Sequence, residues 1–283
     1  MKAKKIIASK VFSLCLLLQT SLVFGDEVKS NVGTLGYGAS GFQEEMQTDR
    51  PDFTEGTRTI EAGHFQLELG PLYSYDDSSK DAISKSVVSE NLVRIGLTEI
   101  SEIRVAWLGE VYSEGIGEKR TFEQMPDFSL GTKVRLFEDE LAWLQALSLI
   151  SEIGIPVDQS DGLSDRVEPR LKLLWGTEVS DFAIPLSLSG NFNLSYINTN
   201  EAEYPESAVS FSVGTPIVGN LAMYHEFFGV FPVDHRSIRS ENYINSGFTY
   251  AYHPDLQFDI RIGAGLDSAS EDLFSGLGIS VRL

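Results

Sequence analysis

From about His64 to Leu283, apolar and polar residues alternate in segments of roughly ten, separated by turn-forming residues. The last segment sets Leu273, Ser275, Leu277, Ile279, Val281 and Leu283 against Phe274, Gly276, Gly278, Ser280 and Arg282. Another sets Leu256, Phe258, Ile260, Ile262, Ala264 and Leu266 against Gln257, Asp259, Arg261, Gly263 and Gly265. Successive side chains of a strand leave opposite faces, so each segment has one apolar and one polar side. About twelve strands are expected, beginning near residues 64, 87, 103, 126, 144, 167, 182, 207, 221, 243, 256 and 273. A soluble sandwich alternates too, usually over shorter strands.

The connections separate the two. Odd ones are long and hydrophilic: Asp76–Ser86, Glu114–Met125, Val157–Arg166, Asn198–Glu206, Asp234–Asn242 and Asp267–Asp272. Even ones are tight: Thr98–Glu102, Glu138–Trp143, Thr177–Asp181, Pro216–Asn220 and His253–Asp255. Outer-membrane barrels have long extracellular loops and short periplasmic turns, and an even strand number leaves both chain ends in the periplasm. The pattern therefore predicts an all-β transmembrane antiparallel barrel of about twelve strands.

The less apolar face carries charges in mid-strand, which cost several kcal/mol in lipid and belong in a wet interior. The expected lumen-lining residues are Arg94, Arg104, Lys133, Arg135, Arg170, Lys172, Arg261 and Arg282, with Glu68, Glu90, Glu110, Glu168, Glu226 and Asp259. This assignment gives the lumen a basic surplus. A lipocalin-like soluble barrel would instead show these charges to water, but such barrels use fewer strands. Tyr73, Tyr75, Tyr112, Tyr196 and Phe231 gather near one set of strand ends, and Phe137, Trp143, Trp175, Tyr250 and Tyr252 near the other. Aromatic girdles of this kind anchor barrels at the two water interfaces. Trp107, in mid-strand, does not fit them.

The start of the chain reads as an export signal. Lys2, Lys4, Lys5 and Lys10 precede an apolar run from Val11 to Leu18, and Gly25 supplies a small residue for cleavage. That run is too short for a helical span, which takes about 20 residues. Cys15 lies within it without the small neighbour a lipidation site wants. Cleavage near Gly25 would remove 25 of 283 residues, leaving 258 with no cysteine. Four lysines would leave with them, so 18 basic residues would face 41 acidic ones, a net charge of −23. So acidic a chain is unsuited to nucleic acid. The expected location is the outer membrane of a Gram-negative bacterium, with outer-membrane lipid and the outer-membrane assembly machinery as partners. Leu283 departs from the aromatic residue with which many such barrels end.

The expected division is a leader at 1–25, an N-terminal acidic segment at 26–62 and a barrel at 63–283. Residues 26–62 do not alternate. They contain Thr48, Asp49, Arg50, Pro51, Asp52, Phe53, Thr54 and Glu55, and Glu61-Ala62-Gly63-His64-Phe65-Gln66-Leu67-Glu68 leads into the first strand. This pair of motifs resembles the outer-membrane transporters named after a phenol meta-cleavage pathway protein, which carry a similar Thr-Asp-Arg-Pro-Asp-x-Thr-Glu segment followed by Gly-His-x-Gln-x-Glu. The close match runs from Thr48 to Gly70. The resemblance implies a barrel taking up small, often hydrophobic or aromatic, solutes and names no catalytic residue to carry over; no cofactor is expected.

Read by their chemistry, Asp49, Asp52 and Glu55 recur every third residue around Arg50 and Pro51. A capped helical turn would place Thr48 or Asp49 at the cap and Pro51 in the first turn. Clustered hard oxygens also suit calcium, though without EF-hand spacing. The preferred expectation is a plug: the acidic segment folds into the lumen and its carboxylates pair with the surplus arginines. Two other functions compete with a channel. Asp234-His235 in a predicted outer loop could serve a hydrolase, but no Gly-x-Ser-x-Gly elbow and no zinc-spaced histidine pair accompanies it. A closed structural or adhesive barrel would share the same strand pattern.

Overall fold

The structure, a computed structural model, describes residues 46–283 except 80–81, 115–127, 140–142, 156, 159–161, 164–166, 181–183, 199–202 and 234–237. The expected leader, residues 26–45 of the N-terminal segment, and Asp234-His235 therefore lie outside the described residues, as do the side chains of Glu110 and Tyr112.

Twelve strands close one antiparallel barrel: β1 (Phe65–Ser79), β2 (Ala82–Thr98), β3 (Ser101–Glu114), β4 (Phe128–Glu138), β5 (Ala146–Ile155), β8 (Glu168–Val179), β9 (Leu186–Asn198), β10 (Glu203–Val218), β11 (Leu221–Pro232), β12 (Glu241–His253), β13 (Leu256–Gly265) and β14 (Leu273–Arg282). Between β5 and β8, β6 (Val157–Asp158) and β7 (Gly162–Leu163) form a small separate hairpin. Each barrel strand pairs with its neighbours in sequence, and β1 pairs with β14, so the sheet has no free edge. Full closure satisfies the backbone within the sheet, which a lipid-embedded chain requires. Among the described residues no helix is long and apolar enough to cross a membrane.

All twelve strands begin within five residues of the expected positions. The largest differences are at β9, which starts late at Leu186, and at two predicted loops where strands start early. At Asp76–Ser86, β1 continues to Ser79 and β2 starts at Ala82, with Asp76 opposite Ser84. At Asn198–Glu206, β10 starts at Glu203, opposite Asn198. These residues are polar on both faces, which reads as loop, but backbone pairing continues past the membrane wherever the strands stay side by side. Phe65 donates its N–H to Leu283 O at 3.0 Å, so the first and last strands meet at one end of the barrel. The tight turns lie at that end, which faces the periplasm in such barrels. One of them is Gly219-Asn220, where Gly219 sits at φ +55°, a conformation that a side chain would strain.

The outer wall is apolar: Leu130 is 52 % exposed, Ile260 49 % and Leu277 56 %. The inner wall is polar: Lys133 and Glu68 are 0 % exposed and Arg94 1 %. A soluble fold buries its apolar face, and this one does the reverse. With outward Leu and Ile and enclosed Lys, Arg and Glu, the surroundings must be lipid. Of the girdle aromatics, Phe137, Trp143, Tyr196, Tyr250 and Tyr252 are exposed on the outer surface.

Candidate functional site: a segment inside the barrel

Residues 46–62 enter the barrel from the end that carries the chain termini, turn, and return to β1. Hydrogen bonds trace the path. Gln47 O accepts from Gln66 Nε2 (3.1 Å) and Arg94 Nη1 (2.9 Å) near the periplasmic rim. The turn lies deeper, at Asp52–Glu55, beside β9–β12. On the way out Ser148 donates to Thr57 O (2.5 Å), and Ile60 N donates to Glu102 Oε2 (2.8 Å). The segment has bends and no helix, so the capped-helix reading does not hold. Pro51 has no N–H to give, and the Thr48 hydroxyl instead donates to Arg50 O at 2.6 Å.

Asp49 is the base of the insertion. Its side chain is 2 % exposed, in contact with Arg104, 2.9 Å from Lys133 Nζ and 3.5 Å from Arg94. Its other oxygen accepts from Gly56 N (2.8 Å), tying the inbound leg to the outbound one. The N–H groups of Asp49 and Arg50 both donate to Glu68 Oε2, at 2.9 and 3.0 Å. Glu102 joins the same network through Arg94 (2.8 Å) and Arg104 (3.1 Å). Four strands, β1 to β4, thus each supply charge to one buried knot.

Arg50 reaches the opposite way. It contacts Glu90 at 2.6 Å on β2, Asp259 at 3.5 Å on β13, and the carbonyl of Leu277 at 3.1 Å on β14. Two inward glycines leave it room. A Cβ at Gly70 would fall 2.5 Å from Arg50 Nη2, and one at Gly278 would fall 2.5 Å from its Nε. Arg261 completes this wall, donating to Pro51 O (2.5 Å) and Glu90 (2.6 Å).

The apex is held differently. Glu226 accepts from Phe53 N (2.9 Å) and Thr54 N (2.6 Å), with the Thr54 hydroxyl at 2.6 Å and Asn245 Nδ2 at 2.5 Å. The Phe53 ring stacks on Phe228, centroids 4.6 Å apart and planes within 1°. Phe228, Tyr243, Phe274, Leu72 and Val88 form one buried apolar cluster inside the barrel, toward the loop end. Glu55 leans to the other side, 2.5 Å from Arg104 and 2.9 Å from Lys172. A cavity of about 110 Å³ opens there, walled by Arg170, Lys172, Asn193, Glu206, Ala208 and Val230 and floored by Asp49–Phe53 and Glu55.

The expected lumen residues Arg94, Arg104, Lys133, Arg170, Lys172, Arg261, Glu68, Glu168, Glu226 and Asp259 all face inward, with Glu168 on Arg170 at 2.8 Å. Arg135 lies at the periplasmic rim, 2.6 Å from Glu138, and Arg282 likewise on Asp255 at 2.9 Å. Three expectations change. The basic surplus disappears, because Glu102, Glu152 and Glu206 also line the interior. Glu102 and Glu206 had been assigned to connections, and their strands start earlier. Asp52 meets no arginine head-on: it hydrogen-bonds Ser212 and lies beside Glu226. The three acidic residues of the motif point at different walls, so they do not converge on a cation, and no metal-binding cluster occurs among the described residues. Nothing in the sequence marked Glu226 as the apex holder or Arg50 as a cation needing two inward glycines. The glycines were the available signal, interrupting a face of large polar residues.

Similar barrels occur among solved structures. NanC porin shares 12% identity at a TM-score of 0.46, covering 77% of this chain and 100% of its own. The translocator domain of the autotransporter NalP from Neisseria meningitidis shares 8% at 0.46, covering 79% of this chain and 90% of its own. KdgM porin shares 10% at 0.45, covering 76% and 98%. No curated protein matches. A family model does, over residues 48–283, beginning at the first residue of the inserted Thr48–Glu55 motif. The chain belongs to the family described as "Putative MetA-pathway of phenol degradation".

Proposed function

We propose that this protein is an outer-membrane channel for small hydrophobic or aromatic compounds, and that residues 46–62 are its internal plug. The observation that carries the reading is the segment laid across the lumen, bonded to strands on every side, with a cavity lined by apolar and polar groups directly above it. A structural barrel with no traffic has no need of such a cavity. Ala208, Val230 and Phe53 offer it apolar surface, and Asn193, Lys172 and Glu206 offer hydrogen-bonding groups. That mixture suits a solute with an apolar body and a polar end. Export through a leader cleaved near Gly25 and insertion by the outer-membrane assembly machinery complete the proposal.

The test is conductance in planar bilayers, comparing full-length protein with a form lacking residues 26–62. The truncated barrel should fold, since its strands close their own hydrogen bonds, and should conduct more. Equal conductance would make the segment a bound tail rather than a plug. Growth of a deletion strain across carbon sources then narrows the solute.

A hydrolase reading has one geometric support, His225 Nδ1 lying 2.7 Å from Ser246 Oγ. Both alternate with the inward Glu226 and Asn245, so they project to the lipid side and away from the cavity. A hydrolase screen of the purified barrel tests this directly.

A further inference from the structure

We infer that the apolar slot under Phe53 is a binding site for a flat aromatic ring, and that Phe53 occupies it as a competitor supplied by the protein itself. Phe53 is the sole aromatic residue between Met46 and Ala62. Its ring lies flat on Phe228, which is itself stacked on Tyr243 at 4.8 Å, with Phe274 set edge-on to Tyr243 at 6.0 Å. Phe228, Tyr243 and Phe274 are each 0 % exposed, so three rings from three strands are enclosed inside a lumen lined largely by polar and charged groups. A barrel interior in water gains nothing from such a cluster unless something apolar covers it. Among the described residues the partly buried apolar group packed on the cluster is Phe53, and it is only half-buried because it also lines the cavity.

The geometry gives the ring somewhere to go and something to release. A solute arriving in the cavity meets Phe53 and Val230. If a planar solute takes the place over Phe228, Phe53 swings into the cavity. Its N–H, with the N–H and hydroxyl of Thr54, makes the segment's bonds to Glu226, so a swing that carries the backbone with it draws the apex off β11. Binding and apex release thereby become one equilibrium, since a ligand that binds only the displaced arrangement shifts the population toward it. This consequence rests on the plug reading, whereas the competition for the slot does not.

The test uses full-length protein in lipid nanodiscs, with benzamide as the planar probe and cyclohexanecarboxamide as its non-planar counterpart. Binding is read by saturation-transfer NMR. Phe53→Ala should bind benzamide about 2- to 10-fold more tightly than the parent, the range expected when one stacked aromatic competitor is removed. Phe53→Leu, which keeps apolar bulk at the apex, should also tighten it. Phe228→Ala should lose the binding, and cyclohexanecarboxamide should bind each protein more weakly than benzamide. Unchanged or weaker benzamide binding in both Phe53 variants would overturn the inference. The form lacking residues 26–62 separates the two readings. If it binds like Phe53→Ala yet conducts like the parent, the slot stands and the plug falls. If it conducts more yet binds no more tightly than the parent, the plug stands and the slot falls.

Discussion

The two ends of the inserted segment are held by opposite kinds of chemistry. At the base, Asp49 is surrounded by Arg94, Arg104 and Lys133 in a knot almost closed to water. At the apex, Phe53 lies on a ring and two backbone N–H groups share one carboxylate. Buried charge is unforgiving: each partner is needed because the others cannot be left alone in a dry site. Stacking is individually modest, and a carboxylate held by N–H and O–H donors can take equivalent donors from a ligand or water. The difference suggests a fixed root and a movable tip, in keeping with a plug that shifts without leaving the barrel.

The largest expected effect comes from breaking the root. Asp49→Asn takes from three buried cations the one carboxylate they share on the segment, leaving them Glu68, Glu102 and Glu55, and should weaken docking of residues 46–62 by about 3–5 kcal/mol. Hydrogen exchange should then rise along the whole segment, and protection equal to the parent's would mean that the knot is not what holds it. Breaking the tip should do less and do it locally. Glu226→Ala orphans the N–H groups of Phe53 and Thr54, a loss of about 1–3 kcal/mol. Faster exchange is expected at Asp52–Glu55 with the root still protected; if both ends open together, the root and tip are not independent.

A third carboxylate, outside the membrane, calibrates the other two. Asp267, in the connection between β13 and β14, accepts from Asn242 N (2.9 Å), Asn242 Nδ2 (3.0 Å), Ala269 N (3.0 Å) and Ser270 N (3.1 Å). Partial burial works to raise its pKa, but these donors outweigh it and hold the group below its ordinary value. A depressed folded pKa means that the stabilisation is full above the ordinary value of about 3.9 and is lost as the pH falls through the folded one. Acidification below that point should loosen the connection, seen as faster exchange of the Asn242 amide. If that amide stays equally protected through the acid range, the donors are not selecting the charged form. Smallest of all should be the effect of salt on the root. Screening acts through water, and the side chains of Arg94 and Lys133 are 1 % and 0 % exposed. Conductance normalised to bulk conductivity should therefore show no salt-induced opening, whereas opening in high salt would reveal a wet root.

Much of the barrel was legible because its signal has period two. A single alternation fixes both that a residue is in a strand and which wall it faces, so Lys133, Arg170 and Arg261 were assigned to the interior from spacing alone. Strand ends were less legible, because past the membrane both faces are polar and the alternation fades while the pairing continues. That is why β2, β3 and β10 start earlier than expected and why Glu102 and Glu206 were missed as inner residues. Within the motif, composition pointed to carboxylate–cation pairing, which describes Asp49 and Glu55 and fails for Asp52. The roles of Arg50 and Phe53 depend on partners 40 to 227 residues away, on β2, β11 and β14, and no local pattern encodes such a meeting.

Those separations also set an order of events in assembly. Arg50 belongs to the part of the chain that is made early, yet its partners include Glu90 on the second strand and Leu277 on the last. It can meet all of them only after β14 has zipped onto β1. A part of the chain that precedes every strand is therefore among the last to find its place. Until then the segment lacks part of its docking site. A late clasp of this kind favours the finished barrel over one with β14 still unpaired, because only closure brings Arg50 its full set of partners.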